Sequence, residues 1–253
     1  MRFSAKWSRA STFAITLAMT AGPACRETAN HRTQVKFFET EDQSFSWGER
    51  FTIEALVTTT VDEVRAQLPH VPDELVVRVQ ASEADAVLEN GQDAEVDPPD
   101  GVIWMVNPHH ALGASRIAKE QLRATLFHQL NHLVRMAEIP TASMLDRAVS
   151  EGLAITFERD YAAVSKPWGW YPSNVAAWVD ELGRVPDSAL SKDWMYRHPD
   201  GREWVAQKAG TYLIDRAIRN SGRSSIELVA VPTKQILALA NGWPSSPSEN
   251  AVR

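Results

Sequence analysis

The sequence predicts an α+β chain, mostly helical, with a small N-terminal sheet and a C-terminal helical half. Two observations predict it. Stretches with strand character, residues 33–40 (TQVKFFET), 74–81 (ELVVRVQA) and 101–107 (GVIWMVN), all fall in the first half. The longer stretches after residue 110 carry the 3.6-residue spacing of helices. At 253 residues, 44% hydrophobic and 23% charged, the chain is long enough for one domain with a substantial core.

Residues 1–24 stand apart from that domain. Arg2, Lys6 and Arg9 form a basic region, residues 10–21 are apolar, and Gly22, Pro23 and Ala24 are small residues before Cys25. This pattern predicts a secretory signal peptide, too short for a spanning helix. Cys25 is the only cysteine, so no internal disulfide is expected. It stands where a bacterial lipoprotein carries its lipidated residue. One reading is a lipid tether followed by a polar spacer, which makes the protein periplasmic, extracellular or lipid-anchored; the other is a cysteine that happens to follow a cleavage site. Residues 25–45 then hold the tether and the first strand, residues 46–243 the domain, and residues 244–253 a disordered tail.

Net charge is −6, and the three cations of residues 1–24, with no acid among them, leave −9 on the remainder. An acidic chain of this kind excludes nucleic acid as the expected partner. The membrane is expected only through the N-terminal anchor, and nothing in the sequence sets the oligomeric state.

Each element has its own signal. Ser46 and Glu49 form a capping-box pair opening a helix to about residue 67. Phe51, Ala55, Val61, Val64 and Leu68 supply its apolar stripe, and Pro69 stops it. Residues 83–100 are acidic, with Asn90-Gly91 and Pro98-Pro99, and are expected to form a long surface loop or an irregular hairpin. The strand at 101–107 is either a core strand or one lying along a cleft, where it would pair with an extended ligand.

A central helix is expected over residues 114–136, with Leu122, Leu126, Leu130 and Leu133 on one face. A third helix, capped by Ser143 or Asp146, runs to about Tyr161 on Leu145, Val149, Leu153 and Phe157. Residues 166–172 (KPWGWYP) are an aromatic loop that either lines a groove or caps the core. A short helix over 173–182 and a polar irregular stretch over 187–200 follow. The helix at 202–220 is ended by Gly222, and a small helical element closes the fold.

The chemistry gathers on the central helix. His128 and His132 stand four residues apart, so their imidazoles project within roughly 40° of each other. That spacing offers two nitrogens to one zinc ion. Glu151 follows on the next helix, off that helix's apolar set, where an unpaired buried carboxylate would be costly. Two histidines and a glutamate make a three-ligand site with an open position. Gln129 occupies the place at which H-E-x-x-H carries its glutamate.

Residues 127–135 (FHQLNHLVR) together with 149–154 (VSEGLA) resemble the gluzincin metallopeptidases. More narrowly, they resemble a bacterial domain-of-unknown-function family of predicted zinc-dependent proteases. Leu145-Asp146, the stretch beginning Ala209-Gly210-Thr211-Tyr212 and a final apolar segment near Ile226 follow the same order. The resemblance spans roughly residues 45–240. It implies a zincin-like metal helix and a single Zn²⁺ held by His128, His132 and Glu151. The activity it implies is hydrolysis of a peptide or protein substrate, with Gln129 in the general-base position.

Glutamine matches glutamate in shape but cannot accept a proton at neutral pH. Activity is therefore expected to be weak or absent. Gln129 fits an inactive relative that retains zinc, an enzyme disabled by substitution, or a protein in which Glu138 or Asp146 serves instead. A non-catalytic protein that retains zinc and binds a peptide or an envelope partner is the alternative function. A metal-free helical scaffold is a third. Tyr212, in its family-like context, and Tyr196 and His198, in the polar stretch, are candidates for the oxyanion donor. His109 and His110 would cap the central helix or line the cleft, and His31 and His70 are expected at the surface.

Overall fold

A computed structural model describes residues 31–83, 89–186 and 191–240. The stretches expected as signal peptide and C-terminal tail, and Cys25, lie outside them. The order is β1 (Arg32–Phe38), α1 (Trp47–Gln67), β2 (Glu74–Ala81), β3 (Gln92–Asp97) and β4 (Gly101–Val106), followed by helices alone. These are α2 (Ala114–Ile117), a π-helical turn (Ala118–Leu122), α3 (Arg123–Glu138), α4 (Met144–Tyr161), α5 (Val175–Leu182), α6 (Ser191–Met195), α7 (Val205–Ser221), α8 (Ser225–Leu228) and α9 (Thr233–Leu239). The class is α+β, mostly helical, with the sheet confined to the N-terminal part. No helix among the described residues is long and apolar enough to cross a membrane.

The sheet order is β1-β2-β4-β3. β1 pairs in parallel with β2 along its length, so the strand before α1 is part of the folded unit. β2 pairs in parallel with β4, and β3 returns antiparallel on the other side of β4. Two open alternatives are resolved here. The acidic stretch 83–100 contains a strand, so its hairpin alternative is the one realised. The strand at 101–106 is an interior strand, flanked on both sides, and β3 is the edge. The alternation in β3 is hard to see in sequence because QDAEVD carries a single bulky apolar residue; it is held by pairing with β4.

In α1 the Ser46–Glu49 capping box forms, but the buried stripe is Ile53, Val57, Thr60, Val61 and Val64. Phe51 instead stacks on Trp47 in solvent, at 63% and 80% exposure. The correction is one of register: Val57 and Ile53 sit one turn apart on the side facing the sheet.

Two apolar clusters result. One joins the sheet, α1, the π-helical turn and α3, and reaches Phe157 on α4. The other joins the first half of α4 to α5, α7 and α9. Helix α4 thus contributes to both. Arg135, buried on α3, donates to the carbonyls of Val229 and Val231 and to the Thr233 hydroxyl, fastening α3 to the segment between α8 and α9. Burial lowers its pKa to about 10.

Helices α4 and α7 cross at two glycines. A Cβ on Gly210 would overlap the carbonyl oxygen of Ala148 and lie 2.6 Å from its carbon. One on Gly152 would lie 2.7 Å from the Thr211 nitrogen. These neighbours are backbone, which cannot swing aside. Gly210→Ala is expected to cost about 2–3 kcal/mol, read as a lower denaturant midpoint with an unchanged m value.

Candidate metal centre

Two helices bring the ligands together. His128 and His132 lie one turn apart on α3, whose opposite face buries Leu126, Leu130 and Leu133 in line with Leu122 of the π-helical turn before it. Helix α4 starts at a capping box in which the Ser143 hydroxyl accepts from the Asp146 N–H and the Asp146 carboxylate accepts from the Ser143 N–H. Leu145, Val149, Leu153 and Phe157 then face the cores and turn Glu151 toward α3.

One ligand atom from each of His128, His132 and Glu151 lies within 4.8 Å of the others. The two Nε2 atoms are 3.0 Å apart. Glu151 Oε1 is 3.4 Å from His132 Nε2, and Oε2 is 3.7 Å from His128 Nε2. Tetrahedral zinc with bonds of 2.0–2.1 Å separates its ligands by about 3.4 Å, so the three spacings bracket that value. The second nitrogens are fixed from behind. His128 Nδ1 is 3.3 Å from the carboxylate of buried Glu158, which can only accept, so Nδ1 carries a hydrogen. His132 Nδ1 is 2.9 Å from the Ser150 hydroxyl. Two Nε2 atoms and a carboxylate thus converge, a cluster whose negative charge and lone pairs are satisfied by a proton or by a metal cation. The residues fit zinc.

Electrostatics agree. Burial opposes charge on His128, but the Glu151 and Glu158 carboxylates outweigh it and push its pKa up to about 9. Burial would raise Glu151, yet His132 and His128 hold its carboxyl well below the usual range. A proton and a metal ion compete for the same His128 lone pair, and only the deprotonated imidazole ligates. Zinc affinity is therefore expected to rise with pH from about 7 to 9 and then level off, with proton release on binding that shrinks across that range; calorimetry in buffers of different ionisation enthalpy measures both. Glu158 orients His128 as outer partners of metal-bound histidines do. Glu158→Gln is expected to weaken zinc about 10–100-fold, measured by competition with a chelating dye.

Gln129 lies beside the triad on α3, and its Nε2 donates to the Ala94 carbonyl of β3 at 3.0 Å. One turn earlier, the Thr125 hydroxyl donates to Gln92 Oε1 at 3.2 Å. Strand β3 thus runs along α3 in step with it. The other candidates fall as follows. Tyr212 is committed to the C-terminal core: its hydroxyl accepts from Arg216 at 3.0 Å and its ring meets Tyr171 edge-on. For Tyr196, burial first, then the fields of Asp93 and Glu151, raise the pKa, although 58% of the residue is exposed. His198 is paired with Asp200 in a network with Arg202.

His109 contacts the Asp42 carbonyl, while His110 Nδ1 accepts from the Leu112 N–H in the turn before α2. His31 pairs with Asp73 at the surface. Asp146 is engaged in the capping box, where Oδ2 accepts from the Ala142 and Ser143 N–H groups and the Ser143 hydroxyl, bonds that, against burial, help hold its pKa below the usual carboxylate range. Glu138 lies at the exposed end of α3. In the aromatic loop, Trp168 packs on Trp204 as a cap, while Gly169 and Trp170 border a small cavity that reaches Glu158.

Sequence reasoning missed Glu158, Ser150 and the β3 edge as parts of the site. Glu158 had a signal: it lies seven residues, two helical turns, after Glu151, on the same face. Ala94 had none, since its contribution is a backbone carbonyl.

No curated protein matches the chain. A family model does match it, over residues 53–238, and bears the description Predicted Zn-dependent protease (DUF2268). That stretch holds all three ligands and Gln129, and the chain belongs to this family of predicted zinc-dependent proteases.

Proposed function

We propose that the chain is an exported zinc-dependent metallopeptidase-type protein in which Gln129 leaves peptide-bond hydrolysis weak or absent. The observation that carries this reading is the convergence of His128, His132 and Glu151 at zinc-ligand spacing, with Gln129 next to them. His128, His132 and Glu151 would hold a single Zn²⁺. Such an ion supplies Lewis acidity, acidifying water and polarising a carbonyl.

The remaining roles belong to the protein. Glu158 and Ser150 fix the two imidazoles. Tyr212, whose hydroxyl accepts from Arg216 and keeps its own hydrogen to donate, and Tyr196, whose pKa is raised by burial and then by the fields of Asp93 and Glu151, are the phenols we propose as donors to charge developing on a carbonyl oxygen. Gln129 can accept a hydrogen bond through its amide oxygen but cannot take a proton at neutral pH. The substrate class is an extended peptide or protein segment. The basic and apolar run of residues 1–24 before Cys25 supports export, with or without a lipid anchor.

A second reading is a zinc-retaining protein that binds a peptide without cutting it. The donation from Gln129 to Ala94 favours it, because that bond ties the side chain to the scaffold. Metal analysis of protein purified under zinc-replete conditions tests what both readings share. About one zinc per chain is expected, and metal-free protein would overturn them. Peptide cleavage abolished by a chelator supports the first reading; tight peptide binding without turnover supports the second.

A further inference from the structure

The free edge of β3 is closed where it passes the ligands. In an antiparallel pair, residues alternate between those bonded to the neighbouring strand and those whose N–H and C=O point outward. Gly91 accepts from the Asn107 N–H, so in this register Asp93 and Glu95 bond to β4 while Gln92, Ala94 and Val96 point to the free edge. Both outward groups of Ala94 are already taken. Its carbonyl accepts from Gln129 Nε2 at 3.0 Å, and its N–H donates to Asp93 Oδ1 at 2.8 Å. The outward N–H of Gln92 is likewise turned to Asn90 Oδ1.

An extended peptide that adds to a sheet edge needs these same groups. Its N–H must reach a strand carbonyl and its C=O a strand N–H. At Ala94 both would have to displace a side chain of the protein. A carboxylate at position 129 has no hydrogen to give and could not make the first contact. The closed carbonyl is therefore specific to the amide of this chain.

We propose that Gln129 is a latch on the β3 edge: its amide occupies the Ala94 carbonyl and competes with the backbone N–H of an extended peptide. This rests on the reading of the triad as the centre of a peptide-binding cleft, and it gives Gln129 a role separate from proton transfer. The plain alternative is that the side-chain caps only shield the edge from aggregation, in which case opening position 129 changes nothing about peptide binding.

The test uses the zinc-supplemented full chain and a fluorescein-labelled library of ten-residue peptides, followed by anisotropy. Gln129→Met keeps the length of the side chain without its donor, and Gln129→Ala removes it; because Gln129 is half-buried, two variants guard against a folding failure in either. Both are expected to bind the peptides about fivefold or more tightly than the wild type, the size of one hydrogen-bond competitor removed, with no cleavage in any sample. Equal affinities across the three proteins, measurable or not, overturn the latch. Zinc content of the same samples separates the two levels. Zinc-loaded proteins with unchanged affinity sink the latch alone, whereas zinc-free samples sink the metal-centre reading with it.

Discussion

Gln129→Glu is expected to raise peptide hydrolysis by about 10²–10⁴-fold, the usual contribution of a positioned general base. That is about 3–5 kcal/mol of barrier. The argument rests on two properties of position 129. It is adjacent in sequence to one ligand and on the same helix as the other, so a carboxylate there sits beside the metal without joining its ligand set. It is also held by the Ala94 carbonyl only through an N–H, which a carboxylate lacks. The substitution thus supplies a proton acceptor and frees it in the same step.

Zinc content should stay the same, and the gain should disappear on chelation. Adding Tyr196→Phe to this variant should lower kcat while leaving zinc content unchanged, if the phenol donates to developing charge. Discontinuous assay of a broad peptide mixture by mass spectrometry is the measurement. A variant that binds zinc fully and cuts nothing would mark the cleft as degenerate beyond one residue.

Glu151→Ala is expected to lower zinc affinity by roughly 10²–10³-fold. Apparent binding energies of about 10–16 kcal/mol for four-ligand sites amount to about 2.5–4 kcal/mol per ligand, and each 1.4 kcal/mol is tenfold. His132→Ala should do as much, with the added loss of the contact to Ser150. The carboxylate variant has a second signature. Glu151 is the first of the groups that raise the His128 pKa, so its removal should bring that imidazole down from about 9. Metal-free His128 would then titrate nearer neutrality, which histidine NMR signals report directly.

The parts legible in sequence are those whose determinants are local. The capping box at Ser46 marks where α1 begins, and of the two caps open for α4, Ser143 is the one realised, with Asp146 as its partner in a second box. The i, i+4 histidine pair needs only helix geometry to share a face. Glu151 is readable because an acid amid buried positions needs a cation. What escapes is set by tertiary pairing. β3 is a strand because β4 offers it a partner, and no pattern in QDAEVD states that. The burial register of α1 is chosen by the sheet beneath it, which puts Ile53 inside and Phe51 outside. Tyr196 and Tyr212 cannot be ranked as donors by context alone, since neighbours such as Arg216 and Tyr171, which surround the Tyr212 phenol, come from tertiary packing.

Helix α4 belongs to two apolar clusters at once, and its Glu151 faces histidines rooted in only one of them. The two clusters are already tied together by α4 and by the bonds of Arg135 to Val229, Val231 and Thr233. An ion held by His128, His132 and Glu151 would add a further tie between α3 and α4, so the site would lie on the seam of the two clusters rather than inside either one.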